Sequence, residues 1–477
     1  MAKGIDGQLT RRGFLGMAAA TAGTLAFGQG AKGARPNLVC ILTDDQRWDA
    51  LRYMGNTVIE TPNLDKLAAQ GVTFENNFAT TAICMSSRAS ILTGLHTATH
   101  GLDDFAKPLP DTLFAQSYPG LLRANGYFTG FVGKWGLGGD LPQDEFDVFD
   151  GFPGQGQYFL DKEEKVHLTQ SIGTRALDFL QSCPKDKPFC LSLSTKAPHV
   201  QDADPRLFLY DKAYESLYGG VEIPTPPSAT ADDFEAQPEF IRDSENRTRW
   251  DRRFATDEMY QDMVKGYYRL ITGLDAMVGR VLNELERLGI ADNTVVVFTS
   301  DHGFFLGEHG LAGKWLMYEE SIRSPLIISG PGIASGLRGR RVDPMALNID
   351  VAPTLLDFAG IDRPVSMQGR SLRPIVEGAA PPWRDEWFYD HLYGHNGRIA
   401  QSQGIRTDRW KYIRYVGETP FFEQLFDLEA DPHEQRNLAG DAAHAERLET
   451  MRARWQIWRD ALASYSVADG GAWQDPE

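Results

Sequence analysis

The chain has 477 residues, 42% of them hydrophobic and 24% charged, with a formal net charge of −17. That composition excludes disordered, collagen-like and coiled-coil chains, and it allows one large core or two unequal domains that need neither disulfides nor a structural metal. Acidity without any basic run argues against a nucleic-acid partner, and a polyanionic substrate would need a local basic pocket.

The N-terminus reads Thr10-Arg11-Arg12-Gly13-Phe14-Leu15-Gly16, followed by small apolar residues to Phe27. This is a secretion signal over residues 1–33, and its paired arginines resemble the bacterial twin-arginine signal. The implied partner is the twin-arginine export machinery, and the implied location is periplasmic or secreted. The apolar stretch falls short of the ~20 residues that span a bilayer, so no stable membrane span is expected. Gly28, Gly30, Ala31 and Gly33 offer cleavage sites.

Short apolar runs at Asn37–Thr43, Tyr127–Val132, Phe189–Ser194, Thr294–Thr299 and Pro325–Ser329 alternate with helical patterns. They read as buried strands of a large, mostly parallel sheet with helices on both faces, an α/β fold. Thr61-Pro62-Asn63-Leu64-Asp65 predicts a capped helix start, with Gly71 closing the helix. A second helix is expected from about Met263 to Leu288, with an apolar stripe through Leu270, Leu274, Val278 and Val281. The polar stretch from Gln201 to about Asp257 reads as an insertion near the active face. Residues 34–378 form the expected catalytic domain. After Gly378 the pattern changes to short aromatic alternations, predicting a smaller C-terminal antiparallel sheet in a subdomain over 379–477, closed by a helix from about Ala442 to Ala461.

Two strand ends carry chemistry. The first run leads directly into Asp44-Asp45, and the run at Thr294–Thr299 leads into Ser300-Asp301-His302. Ligands bind at the carboxyl ends of parallel strands, so Asp44, Asp45, Asp301 and His302 are candidate ligands for one divalent cation. In Ile83-Cys84-Met85-Ser86-Ser87-Arg88 a helix is expected to begin just after Cys84 and to end at Gly94. Cys84 then sits at a helix N-terminus, where free amides favour an anion, with Arg88 one turn on. Cys40 and Cys190 lie in apolar runs as core thiols; the four cysteines do not form a disulfide framework, and spacing alone does not decide whether Cys183 pairs with Cys190 across the intervening loop in an oxidising compartment.

These residues resemble the type I sulfatase family of the alkaline phosphatase superfamily. The family signature is Cys-X-Pro-Ser-Arg with a later Thr-Gly; here it is Cys84-Met85-Ser86-Ser87-Arg88 with Thr93-Gly94. The likeness continues through Gly133-Lys134-Trp135, Lys196-Ala197-Pro198-His199, Asp301-His302-Gly303 and Gly313-Lys314-Trp315, and spans about 36–440. It implies an alkaline-phosphatase-like fold and hydrolysis of a sulfate monoester, with a sulfated carbohydrate the favoured substrate. It also implies conversion of Cys84 to formylglycine by a formylglycine-generating maturation enzyme, and a metal, usually Ca2+, on Asp44, Asp45, Asp301 and His302. Arg88 would hold the aldehyde hydrate, Lys134 and Lys314 would neutralise sulfate oxygens, and His199 would protonate the leaving oxygen. His391, Tyr393, His395 and Arg398, in the smaller domain, are the candidates for substrate recognition.

The chain departs from the family pattern at Ser86, where proline is usual, and at Gly136, where histidine is common. Two other readings follow from the same residues: a phosphomonoesterase or phosphonate monoesterase on this scaffold, and a sulfated-glycan binding protein without catalysis. His96, His100 and His309 read as structural hydrogen-bonding groups.

Overall fold

Four of the apolar runs become adjacent parallel strands in the computed structural model, which describes residues 35–476. The strands of the large sheet are β1 (Asn37–Asp44), β2 (Val72–Phe74), β3 (Phe128–Lys134), β4 (Val148–Phe152), β5 (Phe189–Pro198), β6 (Thr294–Ser300), β7 (Leu326–Ser329) and β8 (Arg340–Val342). They lie in the order β8-β2-β7-β6-β1-β5-β3-β4. All neighbours are parallel except β7, which runs antiparallel to both β2 and β6. The expectation of a mostly parallel sheet therefore holds, with β7 as the exception. A parallel neighbour needs a crossover packed on the sheet. Residues 301–325 instead loop over the strand ends and return directly.

Alternation along β1 explains why both faces need helices. Val39 and Ile41 face one way, into a core shared with α1 (Pro62–Gln70), α3 (Leu168–Ser182) and α4 (Asp257–Arg287). Leu38, Cys40 and Leu42 face the other way, into a core with α2 (Cys84–Thr93) and the helix Val351–Phe358. A strand apolar on both faces is stable only when both are covered.

The starts of α1 and α4 differ from the sequence reading for identifiable reasons. Thr61 does not cap α1; its hydroxyl donates to Asp65 Oδ1 and accepts from Arg52 N–H. The N-terminal amides of Asn63 and Leu64 are satisfied by the carboxylate of Asp275, from the middle of α4. Helix α4 begins six residues before Met263 because Thr256 caps it, accepting from Met259 N–H.

The C-terminal part contains the expected antiparallel sheet, β9 (Glu386–His391), β10 (Ser402–Thr407), β11 (Trp410–Tyr415) and β12 (Phe422–Asp427), in sequential order. Its last helix, α5 (Ala445–Ser464), buries Leu448, Met451, Trp455 and Trp458 against Phe388, Ile405 and Tyr412 of that sheet. Among the described residues, no helix is long and apolar enough to cross a membrane. The twin-arginine segment and its cleavage sites lie outside the described residues.

Candidate active site

Four neighbouring strands, β6, β1, β5 and β3, end on the same edge and deliver Asp301, Asp44-Asp45, His199 and Lys134. Consecutive side chains on a regular strand point to opposite faces. Asp45 escapes this by taking a left-handed φ of +66°, which ends β1 and lets adjacent carboxylates serve one site. The turn is held by Tyr267, whose hydroxyl donates to Asp45 O at 2.8 Å and accepts from Arg47 N–H at 2.9 Å. Asp301 Oδ1 accepts from the N–H groups of Asp45 and His302, at 3.1 and 3.0 Å.

Helix α2 brings the cysteine. Cys84 is its first residue, one position earlier than the sequence reading placed the start, and Gly94 with φ +68° ends it as expected. Cys84 Sγ lies 3.4 Å from Asp44 Oδ1 and accepts from Lys314 Nζ at 2.9 Å. Burial, reinforced by Asp44, pushes this thiol up to about 12, so the unmodified side chain stays protonated at neutral pH. One turn on, Arg88 reaches Asp301 Oδ2 at 3.2 Å and Asp44 Oδ2 at 3.4 Å. Its Nη1 donates to Ser194 Oγ at 2.6 Å and to Lys134 O at 3.2 Å. Ser86, in the usual proline position, is buried and donates to Leu102 O at 2.6 Å. At Gly136 a side chain would be strained and would displace Arg88: with φ +75°, an added Cβ would lie 2.7 Å from Arg88 Cδ.

Two buried ammonium groups complete the centre. Lys134 Nζ pairs with Asp44 Oδ2 and donates to Gln155 Oε1 at 2.6 Å. Lys314 Nζ pairs with Asp45 Oδ1 at 2.5 Å. Burial opposes the charge on Asp44, yet Lys134, His199, Arg88 and Lys314 together hold its carboxyl well below the usual range. For Asp45 burial prevails over Lys314 and the pKa is raised. Burial, joined by Lys314, holds the His199 imidazole well below its ordinary value. His199 Nδ1 is bonded to Val200 O at 2.6 Å, which turns Nε2 toward Asp45 Oδ2, 3.6 Å away.

The donor set fits a divalent cation. Asp44, Cys84, Asp301 and His302 offer ligand atoms within 4.8 Å of one another, as do Asp44, Asp45, Cys84 and His199. His302 Nδ1 bonds Gly303 O at 2.9 Å, leaving Nε2 buried without a partner. Asp45 Oδ2 is also buried and unpartnered. A bonded Nδ1 and a free Nε2 are the usual state of a ligating imidazole.

The family model described as Sulfatase matches residues 36–361, which include every residue of this centre. The chain belongs to the sulfatase family. A second model, described as N-sulphoglucosamine sulphohydrolase, C-terminal, matches residues 307–460 of this sulfatase. An N-acetylglucosamine-6-O-sulfatase from Bacteroides thetaiotaomicron is 32% identical over 503 residues, covering 91% of this chain and 88% of its own. A solved protein in complex with its substrate D-glucosamine-2-N,6-O-disulfate superposes with a TM-score of 0.79 at 30% identity, covering 88% of this chain and 97% of that one. The phosphonate monoester hydrolase of Agrobacterium radiobacter gives 0.72 at 25% identity, covering 88% and 96%. The type I sulfatase assignment and the alkaline-phosphatase-like fold both hold, and the protein is a sulfuric ester hydrolase.

The recognition candidates of the sulfatase do not share one setting. His391 is buried at the end of β9 with neither ring nitrogen hydrogen-bonded. Tyr393 packs with Ile83, Trp315 and Ile399, against the neighbours of Cys84 and Lys314. Its hydroxyl meets His395 Nδ1 at 3.2 Å. Arg398 is exposed and paired with Glu245 at 2.6 Å. Of the histidines read as structural, His100 bonds Ser90 Oγ and Leu102 N–H. His309 has no ring hydrogen bond and instead lies 4.6 Å from the ring of Tyr318. His96 Nδ1 is likewise unpartnered. All four cysteines are free, so Cys183 and Cys190 are not paired.

Sequence reasoning missed three supports. Asn246, from the polar insertion, donates its amide to Ala312 O and Lys314 O, fixing the Lys314 loop. Tyr389 of β9 donates its hydroxyl to Trp315 O at 2.6 Å and accepts from Ala82 N–H at 3.2 Å, joining the Lys314 and Cys84 loops. Gln155 holds Lys134. Each acts from a segment distant in sequence, and none carries a motif of its own.

Proposed function

We propose that this protein is an exported sulfatase that hydrolyses sulfate monoesters of a carbohydrate, using a formylglycine hydrate formed at Cys84. The observation that carries the mechanism is the setting of Cys84: a helix N-terminus, with Sγ between the Asp44 carboxylate and the Lys314 ammonium. Carbohydrate specificity draws support from the N-acetylglucosamine-6-O-sulfatase and from the protein bound to a glucosamine disulfate. Export by the twin-arginine machinery to a periplasmic or secreted location rests on Thr10–Gly16. Maturation by a formylglycine-generating enzyme rests on Cys84–Arg88.

The hydrated aldehyde supplies one hydroxyl to attack sulfur and a second whose deprotonation expels sulfate. Asp44, Asp45, Asp301 and His302 would hold a divalent cation, Ca2+ in this family, which supplies charge to stabilise the nucleophilic oxygen. An ammonium has three donors. Lys134 commits two, to Asp44 and Gln155, and Lys314 commits two, to Asp45 and residue 84, so each keeps one for a sulfate oxygen. Arg88 spans Asp44 and Asp301 and keeps them in register with residue 84. His199, whose single proton at rest is the Nδ1–H bonded to Val200 O, takes a second from solvent at Nε2 when the ester binds and passes it to the departing alcohol. Its imidazole is neutral at rest, and the negative charge of the bound ester raises its proton affinity.

The test is a mass spectrum of the tryptic peptide containing Cys84, from protein made in its own host, together with Cys84→Ala. The expected peptide carries the aldehyde, and the variant loses turnover by roughly 10⁴-fold or more. Unmodified thiol in active protein would overturn the mechanism. The likeness to a phosphonate monoester hydrolase makes rates on aryl sulfate, aryl phosphate and aryl phosphonate the companion measurement. Glycan binding without any turnover in the wild type would leave only the non-catalytic reading.

A further inference from the structure

One partner of the buried Lys134 comes from the protein surface. Gln155 is exposed, whereas Lys134 is only 1% exposed, yet the two are joined through Gln155 Oε1. The segment carrying Gln155 is anchored around it. The backbone carbonyls of Gln155 and Gly156 accept from Lys196 Nζ at 3.0 and 3.1 Å, and that ammonium lies 4.9 Å from the centre of the Tyr158 ring. Tyr158 donates its hydroxyl to His199 O at 2.7 Å and its N–H to Gln201 Oε1 at 2.8 Å. Residues 155–158 are thus tied at several points to the strand end that carries His199. Position 136 carries no side chain, and Gln155 is the polar side chain besides Asp44 that accepts from Lys134 Nζ.

We propose that Gln155 is a positioning residue for the sulfate ester. Its carbonyl aims the Lys134 ammonium without neutralising it, and its amide N–H2 is left for an ester oxygen. The physical point is charge. Asp44 already offsets one unit on Lys134, and a carboxylate at 155 would add a second negative group beside an anionic ester. At an effective dielectric of about 20, a unit charge ~6 Å away changes anion affinity by about a hundredfold, and solvent at the exposed position 155 screens this to about tenfold or more.

The inference rests on the sulfatase reading, and the experiment separates the two. Full-length matured wild type, Gln155→Glu and Gln155→Ala are compared by steady-state kinetics on para-nitrophenyl sulfate, by calorimetric titration with inorganic sulfate, and by thermal melting. Gln155→Glu is expected to weaken sulfate binding and raise KM by about tenfold or more, with a smaller change in kcat and an unchanged Tm. Gln155→Ala is expected to shift both in the same direction by about threefold. Wild-type sulfate affinity and KM in folded Gln155→Glu would overturn the proposal, as would a loss confined to kcat. If Gln155→Glu lowers Tm, Gln155→Ala decides by the same KM and affinity criteria. A wild type that binds inorganic sulfate through Gln155 but hydrolyses no sulfate ester would support this inference and defeat the catalytic reading.

Discussion

At position 136 a single hydrogen atom in place of a side chain determines where Arg88 can lie. The guanidinium bridges two carboxylates, and its Cδ occupies the volume that a Cβ at 136 would need. Restoring the family's common residue should therefore do harm. Gly136→His combines a left-handed φ, costing ~1–2 kcal/mol, with displacement of Arg88. The expected outcome is a lower Tm and a fall in kcat/KM of roughly 100-fold, measured on an aryl sulfate. Recovered or enhanced turnover would show that histidine has room there. The motif residues at this scale were legible because their chemistry is unusual: paired aspartates after a strand, and a cysteine at a helix start. Gly136 was visible as a departure, but its reason was not, because the group that fills the space is Arg88.

Among the elements, α1 and α4 show a cap supplied across a helix pair. The first-turn amides of α1 are satisfied by Asp275, which also accepts from Asn63 Nδ2 at 2.7 Å. Burial pushes the Asp275 carboxyl up to about 6, against the pull of those donors. A folded-state pKa above the unfolded value of about 3.9 means that the native state binds the proton more tightly. The stability contributed by Asp275 is therefore complete below about pH 4 and is lost as pH rises through 6, by roughly 2–3 kcal/mol. Asp275→Asn should remove that component. The difference in unfolding free energy between wild type and variant, followed by urea titration from pH 4 to 7, should fall with pH, and a flat difference would contradict the assignment. The sequence pattern predicted a capped start at Thr61, and a helix does begin there. Capping from α4 lay beyond local reasoning because Asp275 is distant in the chain and looks like an ordinary helical acid.

For the molecule as a whole, the small C-terminal sheet takes part in the catalytic centre. Tyr389 links the loop before Cys84 to the loop after Lys314 through one buried hydroxyl. Tyr389→Phe leaves an N–H and a carbonyl unsatisfied, which costs about 1–3 kcal/mol. The two loops then lose their common reference, so kcat should fall by about tenfold while the secondary structure is retained. Circular dichroism and steady-state rates measured on one preparation would check both, and full activity at reduced stability would confine Tyr389 to a structural role. The polar insertion acts similarly, since Asn246 fixes the Lys314 backbone from a helix over Glu245–Arg253.

The sequence by itself determined the two acid-bearing strand ends, the helix start to within one residue of Cys84 and the family, because each is written in adjacent residues whose spacing or chemistry is unusual. The antiparallel course of β7, the donor from Asp275 to α1 and the parts played by Gln155, Asn246 and Tyr389 were decided only in the tertiary structure. They are contacts between segments far apart in the chain, made by common residue types, and a hydrogen bond of that kind exists only once the intervening chain has folded around it.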